Sequence, residues 1–318
     1  MTLSILPDRR AVAAPNGPAL ADDSTELDNS GFLAAVRRVA ASLNGAGVAT
    51  GDVVAIMLPD SVDLVVSLFA TWRLGATPAL IDPMAPPTEA SHQIADADAK
   101  VLICAAGIAA IAATVRVVTP TAAPNASEQD IIEAVRPSGE APALISYGGG
   151  DSAMLDHRNL EAMCGLAIKV FALTDADHGL STLPMRQLWG ILVGALSPLA
   201  AGGCTTVAGP VGAQSFLDRI ERIRPTYYSA VPSLYAALSE LPRQIRADTS
   251  SVRFAICCAA PAGIELRTEF EHRYGIPLIN GYGLRKVIAR AHSIRSPASI
   301  GPGPSSASAA PPYRSTTG

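Results

Sequence analysis

An alternation of apolar runs and amphipathic stretches constrains the fold of this chain more than any other feature. Three runs read as buried strands: DVVAIML, TPALID and KVLIC. The stretch after the first run places Val62, Val65, Phe69 and Trp72 on one helical face. Strands that alternate with helices form parallel sheets. The pattern therefore predicts an α/β protein with layered, mostly parallel sheets and flanking helices.

The same pattern predicts further elements along the chain. A helix is expected from Ser30, as its N-cap, to Gly45, and a second is expected to open at Pro59 and Asp60. Later helices are predicted at 213–224 and 232–241. Later strands are predicted at 143–147, 179–183, 204–208, 226–231, 252–259 and 277–282.

Composition excludes several classes of protein. Of 318 residues, 49% are hydrophobic and 16% charged, with a net charge of −4, so nucleic acid and anionic membranes are not expected partners. The most apolar window, residues 188–203, is shorter than the ~20 residues of a membrane span and contains Pro198, so a buried helix is predicted. Five cysteines without metal-ligand spacing favour a reducing cytoplasm.

In their order, these segments resemble the large N-terminal domain of the adenylate-forming superfamily. That superfamily includes acyl-CoA synthetases, aryl-CoA ligases, luciferases and the adenylation domains of peptide synthetases. The resemblance runs from about Leu27 to Leu284. The quoted segments are GDVVAIMLPDSVDLVVSLFATWRLGATPALID, PLAAGGCTTVAG, RIERIRPTYYSAVPSLYAAL and RFAICCAAPAGIELRTEFEHRYGIPLINGYGL.

The resemblance implies one incomplete AMP-binding-type domain over residues 1–295. Its two αβ subdomains are expected at roughly 1–145 and 146–295, without the family's last strands and C-terminal lid. Residues 296–318 are rich in Ser, Pro, Ala and Gly, and we expect them to be disordered.

The family's phosphate loop, Thr-Ser-Gly-Thr-Thr-Gly-x-Pro-Lys-Gly, is reduced here to GGGDS between Tyr147 and Ala153. By resemblance Gly148, Gly149 and Gly150 bind nucleotide, since their backbone N–H groups can approach an anion. Asp151 would repel phosphate, however, and no lysine follows. A simple turn from strand to helix is the alternative.

The second family motif, Leu-Pro-x-Phe-His-x-x-Gly, reads LPMRQLWG at residues 183–190. Gln187 stands at the histidine position, where an amide can hydrogen-bond but cannot donate a proton as a general acid. The resemblance assigns Gln187, Trp189, Val231 and Leu284 to a substrate pocket. Trp189 is either a wall of that pocket or an ordinary core residue.

Two further motifs imply a nucleotide site. The small residues Ala259, Ala260 and Pro261 match a turn that faces adenine, although a plain turn is the alternative. NGYGLRK matches a motif that ends in Thr-Glu, and it implies nucleotide binding by four residues: Asn280, Gly281, Tyr282 and Gly283. Arg285 and Lys286 replace the Thr and the Mg²⁺-binding Glu, which makes Mg²⁺ doubtful.

Because ligands of open α/β sheets bind beyond the carboxyl ends of the strands, residues 148–152, 259–261 and 281–284 are expected along one crevice. The resemblance implies ATP-dependent adenylation of a carboxylic acid, fatty or aryl, for transfer to CoA, with ATP or AMP and CoA as cofactors. The altered motifs predict that this activity is impaired or lost. The alternatives are a non-catalytic acyl- or AMP-binding paralogue, associated with an intact synthetase or with itself, and an inactive gene product.

Overall fold

The computed structural model describes residues 2–105, 115–120, 132–148, 151–209 and 211–281. Within these ranges the chain forms two sheets flanked by helices, which confirms the predicted α/β class. The strands are β1 (Pro18–Ala21), β2 (Glu26–Asp28), β3 (Val53–Met57), β4 (Thr77–Leu80), β5 (Ala99–Cys104), β6 (Arg116–Val118), β7 (Pro142–Gly148), β8 (Asp151–Asp156), β9 (His178–Ser181), β10 (Cys204–Val207), β11 (Tyr227–Ala230), β12 (Phe254–Cys257) and β13 (Leu278–Asn280).

The helices pack on the faces of these sheets. They are α1 (Leu6–Ala13), α2 (Asn29–Gly45), α3 (Val62–Arg73), α4 (Pro87–Asp96), α5 (His157–Phe171), α6 (Leu188–Ile191), α7 (Ser197–Ala201), α8 (Ala213–Ile223), α9 (Pro232–Glu240) and α10 (Ile264–Tyr274). A 3₁₀ turn, Leu3–Ile5, precedes α1, and a π-helical turn, Leu192–Leu196, joins α6 to α7.

The larger sheet has the strand order β13-β12-β11-β9-β10-β1-β2, and the smaller has β6-β5-β3-β4-β7-β8. Pairing is parallel except between β1 and β2 and between β7 and β8. Because β1 and β2 lie in the same sheet as β9 to β13, the sheets do not follow the expected boundary at residue 145. The division into subdomains remains a prediction.

Three local predictions are corrected by the structure. The N-cap of α2 is Asp28, whose Oδ1 accepts from Gly31 N at 2.6 Å, and not Ser30. Helix α3 begins after Ser61, whose Oγ accepts from Leu64 N at 3.3 Å, and not at Pro59. Most of the strands are also shorter than predicted, because parallel pairing ends where the chain turns toward the next helix, whereas β5 and β7 each extend beyond the predicted bounds.

The apolar window at residues 188–203 is a buried helix, as predicted. It forms α6, the π turn and α7. Its residues Ile191, Val193 and Leu196 are fully buried in the main cluster of buried apolar side chains, which we call the larger core cluster. None of the described helices is long and apolar enough to cross a membrane. The five cysteines, all of them within the described ranges, are free.

Arg10 joins helix α1 to α2, to α7 and to strand β1 of the larger sheet. Its Nε donates to Asn29 Oδ1 at 2.7 Å, and its Nη1 donates to Leu199 O at 2.6 Å. Its Nη2 donates to Pro18 O at 3.0 Å and to Gly203 O at 2.7 Å. The side chain is only 5% exposed, so these acceptors have little access to water.

Replacing Arg10 with Met should therefore destabilise the protein by roughly 3–5 kcal/mol, because buried acceptors lose a charged donor. The matched control is Arg9→Met at the exposed neighbouring position, which should change stability by less than about 0.5 kcal/mol. Urea unfolding of the full chain measures both. Equal effects of the two variants would show that Arg10 does not anchor the helix.

His157, the first residue of α5, is buried and packs edge-on against Trp72 with ring centroids 5.8 Å apart. Burial lowers the pKa of His157 from 6.5 to about 4, an effect that Asp156 partly opposes. The neutral ring is thus the form that the fold accommodates. Its contribution to stability is present above pH 6.5 and is lost as the pH falls toward 4.

Between pH 7 and pH 5, the wild-type chain should lose roughly 1–2 kcal/mol of unfolding free energy through His157. The variant His157→Gln should show a smaller loss over this interval, whatever its stability at pH 7. His92→Gln, at an exposed position, is the control and should retain the wild-type dependence. Urea unfolding of the wild type and both variants at the two pH values measures these losses. If His157→Gln lost as much unfolding free energy as the wild type, the pH dependence could not be assigned to His157.

Candidate functional site

Residues 183–190, the LPMRQLWG segment, connect a strand of the larger sheet to the carboxyl edge of the smaller one. Met185 N donates to Asp60 Oδ1 at 2.9 Å, and Ser146 Oγ donates to Arg186 O at 2.9 Å. Arg186 Nε lies 2.8 Å from Asp82 Oδ2. Asp60 and Asp82 follow β3 and β4, and Ser146 lies near the end of β7. The carboxyl ends of three strands therefore hold this segment in place.

Asp60, one of the acids that hold this segment, lies in surroundings that oppose its ionisation. Burial raises the pKa of Asp60, and the charge of Asp82 acts in the same direction. The N–H of Met185 and the charge of Arg186 oppose the increase. Among the described residues, the groups that stabilise the charged form of Asp60 belong to the segment it binds, which couples the position of that segment to the Asp60 charge.

An apolar cleft of about 440 Å³ opens beside this segment at the carboxyl ends of β9, β11 and β12. Among the predicted site residues, Gln187, Val231 and Ala259 all line it. Gln187 is exposed, whereas Leu183 and Met185 are buried, so the bend of the segment directs the Gln187 amide toward the cleft. Most of the remaining lining is small or apolar: Thr182, Leu183, Pro184, Val211, Gly212, Ala213, Ala230, Ser233, Leu234 and Ala237.

Trp189 does not line the cleft; it packs against the larger core cluster and against Gly281. A Cβ on Gly281 would lie 2.8 Å from Trp189 Cζ2 and 3.1 Å from Ile256 Cγ2, so only glycine allows this approach. The indole Nε1 is buried and has no hydrogen-bond partner among the described residues. Trp189 thus joins the predicted acid and nucleotide segments through packing, which favours the core alternative for its ring.

The small-residue turn after β12 is exposed and is fixed by Asn280. Ala259, Ala260 and Pro261 are exposed, and Ala259 adopts a left-handed backbone with φ of 69°. Asn280 Oδ1 accepts from Ala262 N at 2.9 Å, and Asn280 Nδ2 donates to Ala262 O at 3.3 Å. The end of β13 thereby holds the turn open toward solvent with no bulky side chain on it.

Gly148, the first residue of the glycine run, lies at the end of an antiparallel pair of strands. Gly148 pairs with Asp151, and Tyr147 pairs with Ser152, so β7 and β8 are separated only by residues 149 and 150. The expected turn from strand to helix is therefore wrong, since helix α5 begins only at His157. Tyr147 OH donates toward α4, at 2.9 Å from Asp96 Oδ2 and 3.0 Å from Gln93 O.

Several predicted site residues lie outside the described ranges: Gly149, Gly150, Tyr282, Gly283, Leu284, Arg285 and Lys286. Their proposed roles remain predictions. Within the described ranges, no group of three or more His, Cys, Asp or Glu side chains is arranged to hold a metal ion.

Sequence reasoning missed the residues that hold the site together. Asp82 and Ser146 carry no motif of their own, and Asp60 was read only as part of a turn; their shared feature is a polar side chain near the end of a parallel strand. That feature could have identified them as neighbours of the crevice. The cleft-facing residues of α9, Leu234 and Ala237, are separated by one helical turn, which was also visible in the sequence.

Gly190, the last residue of the segment, has no side chain and therefore lies very close to the backbone carbonyls of Leu183 and Pro184. A Cβ there would overlap Pro184 O and would lie 3.0 Å from Leu183 O. Gly190→Ala should therefore cost about 1–3 kcal/mol through forced displacement of backbone. Gly165→Ala on the exposed face of α5, where a Cβ meets nothing within 4 Å, should instead stabilise by about 0.5–1 kcal/mol. Urea unfolding compares them, and the same sign for both would contradict the close approach.

Comparison with known proteins places this geometry in a family. Residues 7–303 match the family model for AMP-binding enzymes. A feruloyl-CoA synthase from Amycolatopsis sp is 29% identical over 302 residues, which cover 90% of this chain and 61% of that protein. The chain thus spans less than two thirds of the length of such relatives.

Solved structures agree in fold. An anthranilate CoA ligase in complex with anthranoyl-AMP aligns with a TM-score of 0.82 at 20% identity, over 91% of this chain and 60% of that chain. ATP-bound MatB from Rhodopseudomonas palustris aligns with a TM-score of 0.80 at 24% identity, over 91% and 61% of the two chains. The resemblance to adenylate-forming enzymes drawn from the motifs is confirmed by the family match, and the chain belongs to the AMP-binding enzyme family.

Proposed function

We propose that this chain binds a small acyl or aryl carboxylic acid in the cleft beside Gln187, and that its own adenylation of that acid by ATP is strongly reduced. Family membership supports the acid and the AMP moiety as ligands. The hairpin β7–β8 supports the reduced activity, because two residues replace the loop that the resemblance assigns to the phosphates.

The cleft fits the body of a small acid. Its volume of about 440 Å³ lies within the ~300–1,000 Å³ of typical small-molecule pockets. Val231, Leu234 and Ala237 supply an apolar wall, and the exposed Gln187 amide can hydrogen-bond a carboxylate at the mouth. The relatives named for feruloyl and anthranilate chemistry make aromatic acids the first candidates.

The adjoining turn fits the flat base of AMP. Ala259, Ala260 and Pro261 are exposed and small, so a ring can approach the backbone closely. Asn280 uses its amide to hold this turn and thus acts on the base through the position of the turn. Gly281, against Trp189, keeps the end of β13 close to the cleft. We assign Tyr282 and Gly283 to the same nucleotide site on motif alone.

The phosphate side does not fit a triphosphate. Charge on departing pyrophosphate must be neutralised by cations or by aimed N–H donors. The sequence between Tyr147 and Ala153 supplies three glycines, one serine and the carboxylate of Asp151. Arg285 and Lys286 also replace the residues that the family motif uses for phosphate and Mg²⁺. We therefore derive no adenylation step for this chain. CoA as a second ligand, a cytoplasmic location and association with an intact synthetase remain proposals.

Ligand binding is tested by thermal unfolding of the full chain with ferulate, anthranilate, a fatty acid, AMP or ATP with Mg²⁺. An acid at about 100 times its Kd should add roughly 2.7 kcal/mol to stability, and ATP with Mg²⁺ should stabilise no more than AMP does. Ala237→Phe fills the cleft and should abolish the effect of the acid. Ala236→Phe, on the same helix but not lining the cleft, is the matched control and should retain it.

Catalysis is tested separately by trapping acyl-adenylate with hydroxylamine and by measuring pyrophosphate release. The proposal expects hydroxamate formation far below the ~10 s⁻¹ of a median enzyme. Acid-dependent pyrophosphate release near that rate, abolished by Ala237→Phe, would contradict the reduced adenylation while leaving the cleft assignment intact. Stabilisation by no acid and by no nucleotide would contradict the binding role.

A further inference from the structure

A second concave site lies on the opposite side of α9 from the apolar cleft. It is a polar pocket of about 360 Å³ between the end of α9, residues 241–249 and the last turns of α10. Three arginines line it, Arg243, Arg246 and Arg273, against one acid, Glu269. This excess of positive charge contrasts with the net charge of −4 of the whole chain.

Two acids that neighbour lining residues in sequence, Asp248 and Glu271, are engaged elsewhere. Asp248 Oδ2 pairs with Arg224 Nη1 at 2.6 Å. Glu271 Oε1 accepts from Arg267 Nε at 3.0 Å and from Leu278 N at 2.8 Å. Within the described part of the chain, neither Arg243 nor Arg246 forms an ion pair. Their charges are left for a ligand.

The walls of the pocket are held in place by packing and by backbone hydrogen bonds. Arg273 donates to Ser239 O at 2.9 Å and to Pro242 O at 3.0 Å, and its guanidinium lies 5.3 Å from the Tyr274 ring centroid. Ile245 and Ala247 pack against a second cluster of buried apolar side chains, separate from the larger core cluster. Arg246, the exposed residue between them, is therefore carried on an anchored segment.

We propose that this pocket binds a dianionic phosphate group, as free phosphate or as a small phosphate monoester. Guanidinium groups match phosphate oxygens with paired N–H donors, which makes arginine the preferred residue for such recognition. Arg273 is already held in place by its hydrogen bonds to backbone carbonyls. Phosphate binding therefore has to order mainly the side chains of Arg243 and Arg246. The site is separate from the acid cleft and does not depend on the proposed function.

The test is isothermal titration calorimetry of the full chain with orthophosphate and with glycerol phosphate, in phosphate-free buffer of low ionic strength. Wild type should show saturable binding that weakens as salt rises from about 0.05 to about 0.5 M. The double variant Arg243→Gln/Arg246→Gln should bind at least about tenfold more weakly. Either ligand supports the site, and the tighter one identifies whether the free ion or the ester is preferred.

The matched control is Arg38→Gln/Arg116→Gln, which removes the same charge from two exposed positions outside the pocket. It should keep wild-type affinity, as should the cleft variant Ala237→Phe. Equal weakening in the control pair would mean that phosphate responds to overall charge alone and would overturn the proposal. So would loss of binding in Ala237→Phe, or the absence of saturable binding to wild type.

Discussion

The bonds between residues 183–190 and the carboxyl edge of the smaller sheet are the contacts on which the crevice depends. The segment continues from β9 of the larger sheet, and Asp60, Asp82 and Ser146 hold it from the smaller one. The bond from Met185 N to the partly buried Asp60 carboxylate is worth about 1.5–3 kcal/mol, whereas the more exposed pair of Arg186 and Asp82 contributes about 1 kcal/mol or less. These bonds fix the backbone of the segment that carries Gln187 beside the cleft.

The proposed acid side and the proposed phosphate side of the crevice differ in what their residues supply. On the proposed acid side, Gln187 and a set of small or apolar residues line one cleft. On the proposed phosphate side, β7 matches the strand that precedes the family loop, and it pairs directly with β8, from which residues 149 and 150 separate it. Because function is carried by the residues of a site and not by the fold, the two sides must be tested separately.

Much of the fold was visible in the sequence because its signals are local. Helices α2, α3, α8 and α9 follow from apolar residues at helical spacing, and the parallel strands follow from continuous apolar runs. The short elements α1, β1 and β2 were missed, because a few residues carry too little periodicity to be read. Strand β8 was missed for another reason. Its residues Ala153 and Leu155 are buried in the core only when the strand is paired with β7, and DSAMLD is too short to show that pairing in the sequence.

The candidate site likewise combines residues that the sequence identified with contacts that only the tertiary structure creates. Motif spacing placed Gln187, Ala259, Asn280 and Gly281 near one crevice, since the chain order of strands and turns specifies which loops follow the carboxyl ends of the strands. Three features join residues that are far apart in sequence. They are the packing of Trp189 against Gly281, the bonds from Asp60 and Asp82 to the 183–190 segment, and the arginine-lined pocket at the end of α9. Such contacts leave no periodic trace in the chain. They exist only because the sheets and helices pack in one arrangement, and the physical cause is the burial of their shared apolar faces.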